Sequence, residues 1–213
     1  LSGNVVDICP VGALLDKDFL FAQRVWFLTR TPSIDGLTAS GDNISVEHNK
    51  GTVYRFKPRP NEAINKWWIS DEIRYGWKFV HDDARHRIPA IRHQDKYEMP
   101  QAAQAWKDSM ARALEGLQAS GRLALMVSPM LSCEDAWHLA QLALAIDPDA
   151  ILSVGPVPFD GEDKTFPGGY TIRAEKAPNA RGVRRVLEAV STNVLDAAAM
   201  EQKLGSDSSI DRL

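Results

Sequence analysis

The chain has 213 residues, of which 44 % are apolar and 25 % are charged, a composition typical of globular proteins. At about 150 residues per domain, this length predicts one or two domains. The 25 Lys and Arg against 28 Asp and Glu leave a net charge of −3, which argues against nucleic-acid binding driven by overall positive charge.

Neither a membrane span nor a secretory signal is apparent in the sequence. The longest apolar runs, such as Leu142–Ile146, fall far short of the roughly 20 residues that cross a bilayer, and no basic region followed by an apolar core opens the chain. Two cysteines are too few for a disulfide framework or, alone, for a four-ligand metal site. Because the first residue is Leu1 rather than Met, we expect a piece of a longer polypeptide.

A β-hairpin is the clearest element of the first 95 residues. Ile44 and Val46 alternate with polar neighbours, and the alternation resumes at Tyr54 and Phe56 after an Asn49–Gly51 turn. Two prolines then end the second strand, because proline cannot donate to the ladder. Helical periodicity is poor in this region, which holds four of the six tryptophans, so it is predicted to be small, irregular and β-rich.

Residues 83–99 are polar and basic, and they are predicted to form a solvated linker. His81, His86 and His93 lie in or beside this stretch and raise the alternative of a zinc site. Their spacing matches no zinc-binding helix or finger, and no cysteine accompanies them, so the linker is the favoured interpretation.

From residue 100 onward, helical and strand patterns alternate. Ser132 followed by Asp135 is a capping signature for a helix that lies between two short apolar runs. Alternating helices and strands with short connections predict an α/β fold with a parallel sheet. The other predicted elements are helices near 106–117 and 183–190 and strands at 123–127 and 150–154. We expect these two strands to be neighbours in the parallel sheet.

One motif near the start has the form of a cluster ligand. Cys9 precedes Pro10, and in bacterial-type ferredoxin motifs the last ligating cysteine is followed by a proline. A lone Cys-Pro step is a weak signal, but more specific stretches follow it. These stretches are Asp16–Phe21, Arg24–Trp26, Thr31–Ile34, Asn43–Val46, Lys66–Glu72 and Arg74–Gly76.

Together with Val5–Leu14, these stretches resemble the large iron–sulfur subunit of bacterial NADH-quinone oxidoreductase, or complex I. The resemblance covers a middle slice of the family's length. It is strong over 4–81 and weaker beyond residue 100, where Met126–Pro129 resembles the family's molybdopterin-oxidoreductase-like (formate dehydrogenase-like) domain. It implies four parts: the tail of a ferredoxin-like cluster domain (1–25), a degenerate [4Fe–4S] molybdopterin-oxidoreductase-type domain (26–82), the linker (83–99) and a partial α/β domain (100–213).

The resemblance implies one metal ligand in this chain. Cys9 matches the fourth cysteine of a [4Fe–4S] cluster whose other three ligands would lie upstream of Leu1. Since one thiolate cannot hold four irons, the cluster is expected in the parent protein and not in the isolated chain. No molybdopterin is expected either.

A second cluster of related proteins is held by a Cys-x-x-Cys-x-x-x-Cys run and one later cysteine. Those positions align here with Asp35, Thr38, Asp42 and Ser70. Oxygen donors replace thiolates poorly in an iron–sulfur site, so this site is interpreted as abandoned. A divalent-cation site at the two aspartates is an alternative, less favoured than capping of backbone amides. We expect the loop and the serine to remain side by side, with the space between them filled by Leu37, Ile69 or Ile73.

No complete catalytic constellation is found in the sequence, which has neither a dinucleotide-binding glycine motif nor a P-loop. Cys133 lies in the first turn of a predicted helix, where a thiol can be activated, but a partly buried thiol beside the cap is the favoured interpretation. His138, five residues on, would not share its face.

The resemblance implies a scaffold role in the peripheral arm of a complex I-type enzyme, which passes electrons from NADH through iron–sulfur clusters toward quinone. The expected partners are other subunits of that arm, without nucleic acid or direct membrane insertion. The expected location is cytoplasmic, peripheral to the inner membrane. Two alternatives stay open: a fragment of a molybdopterin oxidoreductase such as a formate dehydrogenase, and a stand-alone interaction module that has lost its clusters.

Overall fold

The computed structural model describes residues 1–85, 87–93, 96–98, 102–117, 121–206 and 210–212. Its helices are α1 (Gly3–Ile8), α2 (Asp71–Gly76), α3 (Ala102–Leu117), α4 (Cys133–Ile146), α5 (Ala180–Val190) and α6 (Ala197–Ser206). Its strands are β1 (Thr29–Ile34), β2 (Asn43–Asn49), β3 (Thr52–Pro58), β4 (Ile91–His93), β5 (Lys96–Glu98), β6 (Arg122–Val127), β7 (Ile151–Val154), β8 (Lys164–Thr165), β9 (Thr171–Ile172), β10 (Val194–Leu195) and β11 (Ile210–Arg212). Short 3₁₀ turns cover Val25–Phe27 and Trp77–His81.

The chain divides into two compact units, and each unit is built from two separate stretches of sequence. Unit 1 consists of Leu1–Arg85 and Val157–Pro178, and unit 2 consists of His86–Pro156 and Asn179–Leu213. Each of the four parts predicted from the resemblance is continuous in sequence, so their boundaries differ from those of the two compact units. The four-part division stays a prediction about family boundaries.

Unit 1 contains an antiparallel sheet in the order β1-β2-β3. The predicted hairpin is confirmed: Val46 pairs with Phe56, and the turn places Lys50 and Gly51 at φ of 47° and 81°. β1 is an edge strand, which is why it tolerates Pro32 opposite Ser45. The core of the sheet is a cluster of isoleucines with two half-buried partners: Ile44, Ile69, Ile73, Val46 and Phe56.

Unit 2 contains a parallel sheet in the order β10-β7-β6-β11. The prediction that 123–127 and 150–154 are parallel neighbours is confirmed, since Ala124 pairs with Ile151 and Val127 with Val154. Successive residues of a strand face opposite sides of the sheet. Leu123 accordingly packs with α4 and α5, whereas Ala124 packs with α6. The protein is therefore a mixed α/β chain with a small antiparallel sheet and a parallel one, and none of its described helices is long and apolar enough to cross a membrane.

The predicted N-terminal cap of α4 is also confirmed. Ser132 has extended backbone angles, and its hydroxyl accepts a hydrogen bond from the N–H of Asp135 at 3.0 Å. This bond satisfies one of the N–H groups that a helix leaves without an intrahelical partner.

Replacing Ser132 by alanine is expected to lower the free energy of unfolding by about 1 kcal/mol, because that N–H loses its acceptor. The measurement is urea denaturation followed by circular dichroism. Ser132→Asp, which restores an acceptor, is the matched control and should regain most of the loss. Equal losses in the two variants would contradict the capping role.

Candidate functional site

The four positions aligned with cluster cysteines are brought together in unit 1, and all four are buried. The exposed fraction is 4 % for Asp35, 0 % for Thr38, 1 % for Asp42 and 3 % for Ser70. The N–H of Asp35 donates to the carbonyl of Asp42 at 2.8 Å, which closes residues 35–42 into a ring that we call the carboxylate loop. The backbone N–H of Ser70 lies close enough to the Asp42 carboxylate to lower its pKa. The expectation that loop and serine lie side by side is confirmed.

The Asp35 carboxylate holds the carboxylate loop from inside. It accepts hydrogen bonds from the N–H of Leu37 at 2.8 Å, from the N–H of Thr38 at 3.2 Å and from the Thr38 hydroxyl. The Thr38 oxygen in turn accepts from the N–H of Ser40 at 3.1 Å. Burial raises the pKa of Asp35, although these hydrogen bonds act in the opposite direction. Asp35 therefore caps backbone amides, as the favoured of the two sequence interpretations predicts.

The Asp42 carboxylate has a partner from a distant part of the chain. The hydroxyl of Tyr170 donates to its Oδ2 atom at 2.6 Å, and Tyr170 is 1 % exposed. Burial raises the pKa of Asp42 to about 6, and the nearby charge of Asp35 adds to this shift, while the hydrogen bonds from Tyr170 and Ser70 oppose it. Burial and the bond to Asp42 raise the pKa of Tyr170, so its phenol stays a donor.

Ser70 has become a helix cap. Its hydroxyl accepts from the N–H of Ile73 at 3.1 Å at the start of α2. The four side chains thus offer carboxylate and hydroxyl oxygens that already have hydrogen-bond partners, whereas a [4Fe–4S] cluster requires soft thiolates. These residues do not fit an iron–sulfur cluster. Within the described ranges, no three His, Cys, Asp or Glu side chains converge as a metal site.

The side chain that reaches the carboxylate loop is one that the sequence patterns do not single out. Ile69 and Ile73 belong to the sheet core with Ile44. The Leu37 side chain packs directly against Gly76, where a side chain larger than hydrogen would overlap with it. The group in hydrogen-bonding contact with Asp42 is the phenol of Tyr170. Asp35 has its donors within the loop, whereas the buried Asp42 needs a donor from elsewhere in the chain.

Cys9 follows α1, which polar contacts attach to α2. The carboxylate of Asp71 accepts from the N–H of Gly3 at 2.8 Å, and the buried Arg74 guanidinium pairs with Asp7 at 2.7 Å and with the Asn4 side chain at 2.9 Å. The half-buried Cys9 thiol donates to the carbonyl of Val11 at 3.3 Å. These contacts fix the position of the thiol within unit 1.

Cys9 lines a cavity of about 650 Å³. Four cationic side chains (Arg24, Arg55, Lys57 and Arg74) and two acidic ones (Asp7 and Asp16) contribute to its wall. The wall also contains apolar side chains that are exposed, namely Val11, Leu14, Leu15, Leu20, Phe21 and Val25. Three of the cationic side chains are paired with carboxylates: Arg55 with Glu47, and Lys57 and Arg74 with Asp7.

Comparison with known proteins shows which family a part of this chain resembles. Residues 28–78 match the family model described as "NADH-ubiquinone oxidoreductase NDSU1/NuoG-like, 4Fe-4S domain". The chain is 44 % identical over 98 residues, 46 % of its length, to the NADH-ubiquinone oxidoreductase 78 kDa subunit of Candida albicans. The chain is similar to part of that subunit. The resemblance predicted from the sequence is confirmed.

Further relatives agree with this match. The NADH dehydrogenase [ubiquinone] iron-sulfur protein 1 of Solanum tuberosum is 44 % identical over 118 residues, 54 % of this chain. The NADH-ubiquinone oxidoreductase 75 kDa subunit of Reclinomonas americana is 35 % identical over 136 residues, 63 % of this chain. The matched regions amount to 14 % of the Candida protein, 15 % of the Solanum protein and 19 % of the Reclinomonas protein, so the chain spans less than a fifth of these relatives' length.

The NuoG-like segment, residues 28–78, contains no cysteine. The two cysteines of the chain lie outside it: Cys9 precedes it, and Cys133 follows it in unit 2. The segment therefore resembles a [4Fe–4S] domain in sequence, but the positions aligned with cluster cysteines carry oxygen-containing side chains that form hydrogen bonds.

Two other residues considered from the sequence have ordinary surroundings. The Nε2 atom of His81 accepts a hydrogen bond from the N–H of Val53 at 2.8 Å, so this ring supports β3. His86 and the side chain of His93 lie outside the described residues. Cys133 is exposed, with the side-chain nitrogen of Asn179 at 3.5 Å from its sulfur.

Proposed function

We propose that this chain belongs to the peripheral arm of an NADH-quinone oxidoreductase and supports electron transfer from NADH through iron–sulfur clusters toward quinone. The names of its relatives and the NuoG-like segment support this assignment. Its role in the arm is mainly that of a scaffold, because the carboxylate loop is held by hydrogen bonds rather than by metal. Its partners are the other subunits of the arm, at the cytoplasmic side of the inner membrane.

The observation that carries this proposal is the position of Cys9. Its thiol lines a cationic cavity with an exposed apolar margin, and α1 is fixed to α2 so that the thiol has a defined place. Cys9 supplies the fourth thiolate of a [4Fe–4S] cluster whose other three ligands come from outside this chain. A cluster with four thiolate ligands is anionic, and four cationic side chains contribute to the cavity wall, of which Arg55, Lys57 and Arg74 are paired with Glu47 or Asp7.

Unit 2 is a partial molybdopterin-oxidoreductase-like domain without molybdopterin in this proposal. Support comes from the β6-α4-β7 arrangement and from the parallel order of the sheet, which an α/β domain of that type requires. The same scaffold role applies to this unit, since its one cysteine is exposed beside Asn179.

The isolated chain is expected to hold less than about one iron after anaerobic reconstitution with iron and sulfide, because it supplies a single candidate thiolate. Iron and acid-labile sulfide analysis measures this directly. Cys9→Ala is the control and should give the same low value. A brown protein with four irons and four sulfides would contradict the ligand count.

The function is tested in the organism that encodes the chain, by chromosomal substitution at each cysteine. Cys9→Ala should abolish most NADH-quinone oxidoreductase activity of isolated membranes and remove one [4Fe–4S] signal from their electron paramagnetic resonance spectrum. Cys133→Ala, at an exposed thiol outside the NuoG-like segment, is the matched control and should leave both unchanged. Full activity and an unchanged spectrum in Cys9→Ala would overturn the proposal.

A further inference from the structure

We propose that the carboxylate loop and Ser70 form a phenol-binding site, which the chain fills internally with the side chain of Tyr170. The site takes a flat aromatic ring with one hydroxyl donor. This inference stands apart from the proposed function, because it involves neither Cys9 nor any partner subunit.

The hydrogen-bond geometry selects the hydroxyl. The Tyr170 oxygen lies 2.6 Å from Oδ2 of Asp42, a short distance typical of a hydroxyl bound to a carboxylate. Both residues are 1 % exposed, so water does not compete for this bond. An ionised carboxylate accepts hydrogen bonds and donates none, so Asp42 selects the hydroxyl of the phenol as a donor.

The segment that carries Tyr170 is shaped to present it. The strands β8 and β9 pair as a hairpin, and the N–H of Phe166 donates to the Tyr170 carbonyl at 2.8 Å. Gly168 and Gly169, at φ of 88° and 86°, form the turn, in a region of backbone space that residues with a Cβ atom seldom adopt. The Phe166 ring stacks on the Tyr170 ring with centroids 6.2 Å apart. Contacts within the hairpin therefore hold the Tyr170 ring in a defined orientation, independently of its bond to Asp42.

Two further contacts fasten the 157–178 segment to the carboxylate loop, and one more fastens it to α2. The N–H of Ala39 donates to the Glu175 carbonyl at 3.0 Å, and the N–H of Arg173 donates to the Ser40 hydroxyl at 3.1 Å. Lys176 pairs with Glu72 at 2.7 Å. These contacts do not involve the Tyr170 side chain, so they can keep the site assembled when that side chain is shortened.

The test uses the full chain with Tyr170→Ala and phenol itself as the probe. Phenol should raise the melting temperature of this variant by about 3 °C or more at ten times its Kd, and isothermal titration should show one phenol bound per chain. Benzene, which has the ring without the hydroxyl, should bind at least about tenfold more weakly, because it leaves Asp42 without a donor. Phe159→Ala, at a 68 % exposed ring in the same segment, is the matched control and should show no phenol effect.

Tyr170→Phe provides an independent measurement that does not depend on the alanine variant being folded. It keeps the ring and removes the hydroxyl, so the carboxyl carbon of Asp42 should titrate at higher pH than in the unaltered protein when followed by nuclear magnetic resonance. Unchanged titration of Asp42 would overturn the inference. So would a folded Tyr170→Ala variant that binds phenol no better than benzene.

Discussion

Replacing Glu47 by alanine is expected to lower the free energy of unfolding of unit 1 by about 3–5 kcal/mol, the cost typical of breaking a buried ion pair. Glu47 is fully buried in β2, with Nε of Arg30 at 2.7 Å from one carboxylate oxygen and Nε of Arg55 at 2.5 Å from the other. The Arg55 side chain is only 14 % exposed, and its guanidinium lies 3.9 Å from the centroid of the Phe19 ring. Without Glu47, this half-buried guanidinium would lose the carboxylate that pairs with it.

Arg30→Ala is the matched control, because it removes a partner of the same carboxylate whose side chain is 67 % exposed. Its expected cost is below about 1 kcal/mol, as for surface ion pairs in general. Hydrogen exchange of the β2 and β3 amides across a urea series measures the free energy of unfolding of unit 1 by itself in both variants. If Glu47→Ala costs no more than Arg30→Ala, the carboxylate does not hold the sheet.

Unit 1 is expected to lose stability as the pH rises from about 4 to 7, because of Asp42. Its pKa is about 6 in the folded protein against an ordinary value of 3.8, so the folded state holds this proton more tightly than the unfolded state. The resulting stabilisation is complete below 3.8 and is lost as the pH passes through about 6. A shift of this size corresponds to about 3 kcal/mol.

Asp42→Asn should remove this pH dependence, because an amide stays neutral throughout and its oxygen can still accept from the Tyr170 hydroxyl. The difference in unfolding free energy between variant and unaltered protein should therefore change by about 2.4 kcal/mol between pH 4 and pH 7.5, in favour of the variant at the higher pH. Asp160→Asn, at an exposed carboxylate in the 157–178 segment, should leave the pH profile in place. A constant difference for Asp42→Asn across this range would show that the buried carboxylate is not the titrating group.

The elements predicted correctly from the sequence are those that neighbouring residues determine. Alternation on both sides of the turn at Lys50 and Gly51 specified the hairpin, and Ser132 with Asp135 specified the start of α4. The pairing of β6 with β7 followed from the short crossover between them, since parallel strands need such a connection. The proximity of the carboxylate loop to Ser70 followed from the family resemblance and not from any local pattern, whereas the burial of Asp35 and Asp42 was not predicted.

The residue that completes the site could not be predicted in this way. Tyr170 lies in a glycine-rich hairpin that follows β7, so continuity of the chain groups it with the parallel sheet. The contacts group it instead with the antiparallel sheet of unit 1. Hydrophobic periodicity carries no information about a single polar contact between distant segments, and no local pattern identifies Tyr170 as the donor that the buried Asp42 needs.

The discontinuity of unit 1 has a consequence for how the protein is made. Asp42 and its phenol partner are separated by 128 residues, and two of the four strands of the parallel sheet, β6 and β7, are encoded between them together with α4. At the usual 5–20 residues per second, the ribosome reaches Tyr170 roughly 6 to 26 s after Asp42. During that interval the nascent first stretch has its antiparallel strands but lacks Tyr170. Unit 1 therefore stays incomplete, with Asp42 lacking its phenol partner, until β6, α4 and β7 have been synthesised.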